Sequence, residues 1–299
     1  MSYILAVEFS APKLLFGNNI DEIGQGDLMP IVASLQQRLY ELVDLWFTKF
    51  QLLTARVSAI HYSKNVVFED YTSTLAVINA LSKQDIPNNL DIQLTNFRTG
   101  HALHIHGNTL DVIFYDKLAD MKRSFISSQR SIETNVKGRP IKVGKFRKPL
   151  EVFRFEVRLA DRRRIKQTFK GLESYDLGTL YSKVLARRVM LDYWDKFTHS
   201  ADLLNVDQIK PYELLKNILM EDKNVKFKEA LAVTAACLVV DEVGFREFRG
   251  LCERMSTREM WYRFKPKIHT PQPGGYKAFD VIRNELKTLR RTKLKDLTI

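Results

Sequence analysis

Val152-Phe153-Arg154-Phe155-Glu156-Val157-Arg158-Leu159 alternates without a break. Successive side chains of an extended chain point to opposite faces, so Phe153, Phe155, Val157 and Leu159 share one side and Arg154, Glu156 and Arg158 the other. The apolar side predicts a strand laid on a core, and the charged side a surface free for chemistry. Upstream, Leu90-Asp91-Ile92-Gln93-Leu94, Ala102 to His106 and Leu110 to Tyr115 read as consecutive strands, the last two joined across Gly107-Asn108 as a hairpin. Before them, Arg56 to Phe68 holds the extended run Val57 to Tyr62, and Leu75 to Leu81 reads as a helix with Asp70 and Thr72 as caps. Nearer the start, Ile4 to Phe9 reads as a strand followed by a turn-rich stretch through Gly26. Pro30 then opens a helix that spaces Ile31, Leu35, Leu39, Leu42, Val43 and Trp46 to cover a sheet. After Asp161 the pattern is helical through Tyr181 to Phe197 and stays mostly helical, with a break at Thr270 to Gly275. The expected class is α+β: a mixed, largely antiparallel sheet covered by helices in residues 1–200, then a helical region over residues 201–299.

Charge narrows the partner. Among 299 residues, 47 Lys and Arg stand against 35 Asp and Glu, a net +12, which favours a polyanion: nucleic acid first, an anionic membrane second. The longest apolar run, Ala230 to Val240, is too short for a bilayer, which takes about 20 residues. Met1-Ser2-Tyr3 lacks the basic start of a signal peptide, so a soluble, intracellular protein is expected. Cys237 and Cys252 form no ligand motif, and no phosphate-binding glycine loop with its lysine occurs.

Three strands carry reactive side chains on one face. His61, Ser63 and Asn65 share a side, Tyr115 and Lys117 share a side, and Arg154, Glu156 and Arg158 share a side. A phenol beside an ammonium suits phosphate, and a carboxylate between two guanidinium groups suits a metal with phosphate-binding neighbours. Each has a plainer reading: a strand tyrosine with its hydroxyl in water, and a strand ion-pair network. His104-Ile105-His106 puts two imidazoles on one strand face, a pattern that suits a metal, although here it abuts a hairpin. Tyr193 lies on an expected helix and suits packing against the sheet. Basic clusters occur at residues 134–149, with Arg139, Lys142, Lys145, Arg147 and Lys148, and at Arg162, Arg163 and Arg164. They suit phosphate contacts, the plainer reading being solvated charge. Arg258 to Lys265 interleaves aromatic and basic residues, and Arg290 to Lys295 reads as a basic terminal tail.

Together these residues resemble the gene II/X replication initiators of filamentous phages and, more distantly, the trans-type rolling-circle plasmid initiators. The resemblance rests on Phe9 to Asn19, His61 to Asn65, Phe114-Tyr115-Asp116-Lys117 and Phe153 to Leu159. It implies that Tyr115 is a nucleophile that nicks one strand at a single-stranded or hairpin origin, with Lys117 and Arg154 in support. It also implies a divalent Mg²⁺ or Mn²⁺ held by Glu156 and His61, and a host helicase and single-strand binding protein as partners in the bacterial cytoplasm. His61 departs from the family, which has a carboxylate there, and nitrogen for oxygen shifts preference toward Mn²⁺. A conjugative relaxase and a noncatalytic DNA-binding regulator are the alternative readings.

Overall fold

In the computed structural model, residues 5–69, 72–87, 89–97, 100–126, 142, 150–198, 211–221, 225–255, 261–262 and 277–298 are described. Five strands, β1 (Ile60–Phe68), β2 (Asp91–Phe97), β3 (Gly100–Gly107), β4 (Leu110–Asp116) and β5 (Glu151–Leu159), form one sheet in the order β1-β5-β4-β3-β2. Every pairing is antiparallel. The last four strands run as a meander, and β1, first in the chain, closes onto the far edge of β5. The alternation of residues 152–159 is thereby used on both sides: Phe153, Phe155 and Val157 are fully buried in a core, while Arg154 and Glu156 are buried in a polar layer.

The helices are α1 (Ala11–Phe16), α2 (Leu28–Val43), α3 (Lys49–Leu53), α4 (Thr74–Ser82), α5 (Lys117–Ile126), α6 (Arg162–Thr168), α7 (Leu177–Leu180), α8 (Lys183–Thr198), α9 (Pro211–Glu221), α10 (Phe227–Val243), α11 (Phe245–Met255), α12 (Lys277–Thr288) and α13 (Leu294–Leu297). The apolar sheet face packs on α4, α6, α8 and α12, with Phe114, Phe155 and Phe279 around the buried Trp194. Burying such aromatic side chains is worth about 1.5–3 kcal/mol each relative to exposure, which makes this layer the main source of cohesion. No helix among the described residues is long and apolar enough to cross a membrane.

Four expectations change. Residues 5–9 pair with no strand in the sheet, and α1 follows them, closed by Gly17 at φ 68°. Helix α2 buries Val32, Leu35 and Leu39 against Leu52 of α3 rather than against the sheet, and Trp46 lies beyond its end. The helical region also divides. Helices α9, α10 and α11 with Trp261 form a core of their own. In contrast, α12 returns to the sheet core through Ala278, Phe279, Ile282 and Leu286. Beyond it, Leu294 and Leu297 pack with Ile20, Leu150 and Val152, so the segment read as a basic tail is a strap across the sheet domain. Its apolar residues are spaced too widely in sequence to announce this.

Candidate active site

Register assembles the site. Asn65, Arg154 and Tyr115 lie abreast on β1, β5 and β4; Ser63, Glu156 and Ile113 form the next row; His61, Arg158 and Asp111 the third. Strand β3 extends the rows with Ala102, His104 and His106. Because rows two residues apart share a face, all these side chains stand on the polar side of the sheet.

Glu156 is the hub. Its Oε1 accepts from Tyr115 Oη at 2.8 Å and from Arg154 Nε at 2.8 Å, and its Oε2 accepts from Arg158 Nε at 3.0 Å and Nη2 at 2.7 Å. Burial works to raise the Glu156 pKa, but the guanidinium groups of Arg154 and Arg158 and the Tyr115 hydroxyl outweigh it and hold the carboxyl at about 2. Arg154 is engaged as well: Nη1 donates to the Asn19 carbonyl at 2.7 Å and to Asn65 Oδ1 at 3.2 Å, and Nη2 donates to Ser63 Oγ at 2.8 Å. Burial of the phenol drives the Tyr115 pKa well above its usual 10; Arg154 opposes this, and the Glu156 carboxylate adds to it. At rest the side chain is therefore a neutral phenol whose proton already points at an acceptor. Lys117, at the start of α5, is buried, pairs with Asp120 at 3.3 Å and sits 5.8 Å from the Tyr115 ring centroid.

The site hangs from the strap. Lys64, buried on β1, reaches Glu22 at 3.1 Å and Thr292 Oγ1 at 3.3 Å, while Glu22 accepts from the Thr292 amide at 2.8 Å. Asn65 Nδ2 donates to the Ile20 carbonyl at 3.0 Å, so the 18–22 loop that meets Arg154 is fixed from both sides. Sequence reading placed Ser63 and Asn65 on the right face but missed Asn19, Glu22, Lys64 and Thr292. Their partners are tens to hundreds of residues away, and no local pattern marks them.

The predicted metal ligands share the face without forming a cation site. Both Glu156 oxygens already accept two donors each, and Arg158, a cation, stands opposite His61 in register. Burial and then Arg158 lower the pKa of His61 and of His104, so both imidazoles are neutral at pH 7. Among the described residues no group of three or more His, Cys, Asp and Glu is placed to hold an ion. As placed, this donor set does not fit a divalent metal. His106 instead lies 3.6 Å from Asp111.

No protein-family model, curated protein or solved structure matches this chain.

The remaining candidates are scattered. Arg162 and Arg163 are exposed on α6, which with Lys166, Gln167 and Lys170 lines an open basic groove. Arg164 is tied by its Nε to Thr109 Oγ1 at 3.1 Å. Lys142 donates its ammonium to the Lys295 carbonyl at 2.8 Å, so it serves the strap rather than a free basic surface. Arg139, Lys145, Arg147 and Lys148 lie outside the described residues, as does the break at Thr270 to Gly275. Tyr193 packs beside Phe197 against the apolar core, on the opposite side of the sheet from Tyr115. Trp261 is buried in the helical core, and Arg291 is engaged by Asp27 and the Glu22 carbonyl. Burial raises the Cys237 thiol to about 11, which makes it inert packing.

Proposed function

We propose that this chain nicks one strand of DNA at a replication origin by transesterification through Tyr115, as the resemblance to rolling-circle initiators implies. The observation that supports it most is the Tyr115–Glu156 hydrogen bond set between Arg154 and Arg158: one phenol, one proton acceptor and two cations on a single sheet face. In this reading the scissile phosphodiester meets the Arg158 guanidinium, 36% exposed, which favours the charge that develops on its oxygens, while the buried Arg154 holds Glu156 in place. Tyr115 Oη forms the new bond to phosphorus, its proton passes to Glu156, and the bond to the 3′ oxygen breaks. That oxygen leaves with the electron pair and takes a proton from solvent, to which Glu156 returns the proton it accepted. One phosphodiester is exchanged for another, so no nucleotide triphosphate is needed and the reverse transfer can seal a completed circle. Lys117 adds a further positive charge near the Tyr115 ring.

The exposed groove on α6 supplies a surface for flanking phosphates. A helicase and a single-strand binding protein of a bacterial host would extend the nick. The test is incubation of the wild type and Tyr115→Phe with labelled single-stranded origin DNA in Mg²⁺, Mn²⁺ or EDTA, followed by a denaturing gel and peptide mapping. A covalent 5′ adduct on Tyr115 that the Phe variant lacks supports the proposal. An adduct on Tyr193 moves the site, and binding without any adduct favours a regulator. Activity abolished by EDTA would mean that the arginines yield Glu156 to an ion.

A further inference from the structure

Helix α10 is apolar on both sides. Its inner face, Ala230, Val233, Ala236, Cys237 and Val240, is buried against α9, α11 and Trp261. Its outer face carries Leu231, 49% exposed, and Val239, 37% exposed, with Ala232 and Ala235 between them in the open; Leu238, at the border of the two faces, is partly exposed and also touches the inner core. Isolated exposed apolar residues are ordinary, but a continuous apolar strip on a helix already buried by its other side marks a contact surface.

The strip has a register. Lys228, Leu231, Ala235, Leu238 and Glu242 fall at alternating spacings of three and four, the seam of a helix pair. Its ends are charged, Lys228 at the start and Glu242 at the finish, both exposed, and neither makes an ion pair or hydrogen bond among the described residues. Fourteen positions apart, they lie about 21 Å from each other along the axis and cannot meet within one copy. Each is also at the wrong end of its own helix dipole, which favours anions at the N-terminus and cations at the C-terminus.

We propose that the outer face of α10 binds a second copy of this chain, antiparallel, with the two-fold axis at Ala235. In that arrangement Ala235 meets Ala235 of the second copy once, on the axis, and Leu231 meets Val239, Ala232 meets Leu238 and Lys228 meets Glu242 twice each. Alanine at the crossing allows close approach, and each misplaced charge lands beside the helix end that suits it. A parallel pair would instead set Lys228 against itself and Glu242 against itself, so charge selects the antiparallel form. The proposal is independent of the chemistry at Tyr115.

The experiment is multi-angle light scattering on the full chain without DNA, from low to high micromolar protein. The mass should rise from 34.8 kDa toward twice that value. Ala235→Glu, Lys228→Glu and Glu242→Lys should each hold it at the monomer, and Lys228→Glu combined with Glu242→Lys should restore the dimer. All three sites are exposed, and both charge changes suit the helix's own dipole, so an unchanged circular dichroism spectrum accompanies each variant. A wild type that stays at 34.8 kDa overturns the proposal. So does a dimer that survives Ala235→Glu, or a charge swap that fails to restore association.

Discussion

Replacing Glu156 with glutamine keeps the shape of the side chain and removes the charge on which two arginines and a tyrosine converge. The carboxyl is held at about 2 against an ordinary 4.5, in a side chain 9% exposed. At 1.36 kcal/mol per unit, that displacement corresponds to roughly 3 kcal/mol of native-state stabilisation at neutral pH. The variant also turns an amide donor toward donors, while Arg154 keeps Asn19, Asn65 and Ser63. Urea denaturation at pH 7 should therefore show a loss of about 3 kcal/mol. The folded pKa is depressed, so this stability is complete above 4.5 and drains as pH falls from 4.5 toward 2. The gap between wild type and Glu156→Gln should narrow over that window, because a protonated Glu156 no longer differs from the amide in charge. A loss below about 1 kcal/mol at pH 7, or a gap that stays constant on acidification, would refute the view that the guanidinium groups govern this carboxyl.

Lys64→Met should strand the Glu22 charge and cost about 3–5 kcal/mol in thermal or urea unfolding, and adding Glu22→Gln should recover part of it; no recovery would show that the pair is not coupled. Gly244 has φ +84° and an added Cβ would stand 3.2 Å from Lys83 Cα, so Gly244→Ala should lose about 1–3 kcal/mol, read from the urea midpoint. Changing Arg162, Arg163 and Lys166 together to alanine should leave stability unaltered. The same change should flatten the slope of log affinity for DNA against log salt by roughly 2–3, close to one unit per lost phosphate contact, and an unchanged slope would remove α6 from the DNA path.

Much of the sheet is legible in the chain. The runs at 90–94, 102–106, 110–115 and 152–159 are short-period signals, and the hairpin at Gly107-Asn108 needs only local turn chemistry. Tyr115, Glu156 and Arg154 likewise stand out as polar members of apolar-backed strands. The expected strand near the N-terminus was not legible in this way: Leu5 to Phe9 has strand-like composition, but a strand exists only when an edge accepts it. Helix α2 has the spacing to cover a sheet and covers α3 instead, because amphipathicity specifies that a face is buried and not by what.

By itself the sequence determined which side chains share a face, since the two-residue period of a strand is a property of the backbone. Only the tertiary structure decided which faces meet. Pairing β1 with β5 across some ninety residues puts Asn65 beside Arg154 and Ser63 beside Glu156, and pairing β4 with β5 brings Tyr115 within 2.8 Å of Glu156. Such register is selected by the summed burial of both sheet faces, and a one-residue slip would turn every one of these side chains into the core. The ionisation of Glu156 is decided at the same level: its two arginines are legible along the strand, but the burial that opposes them and the tyrosine that reinforces them arrive only with the fold.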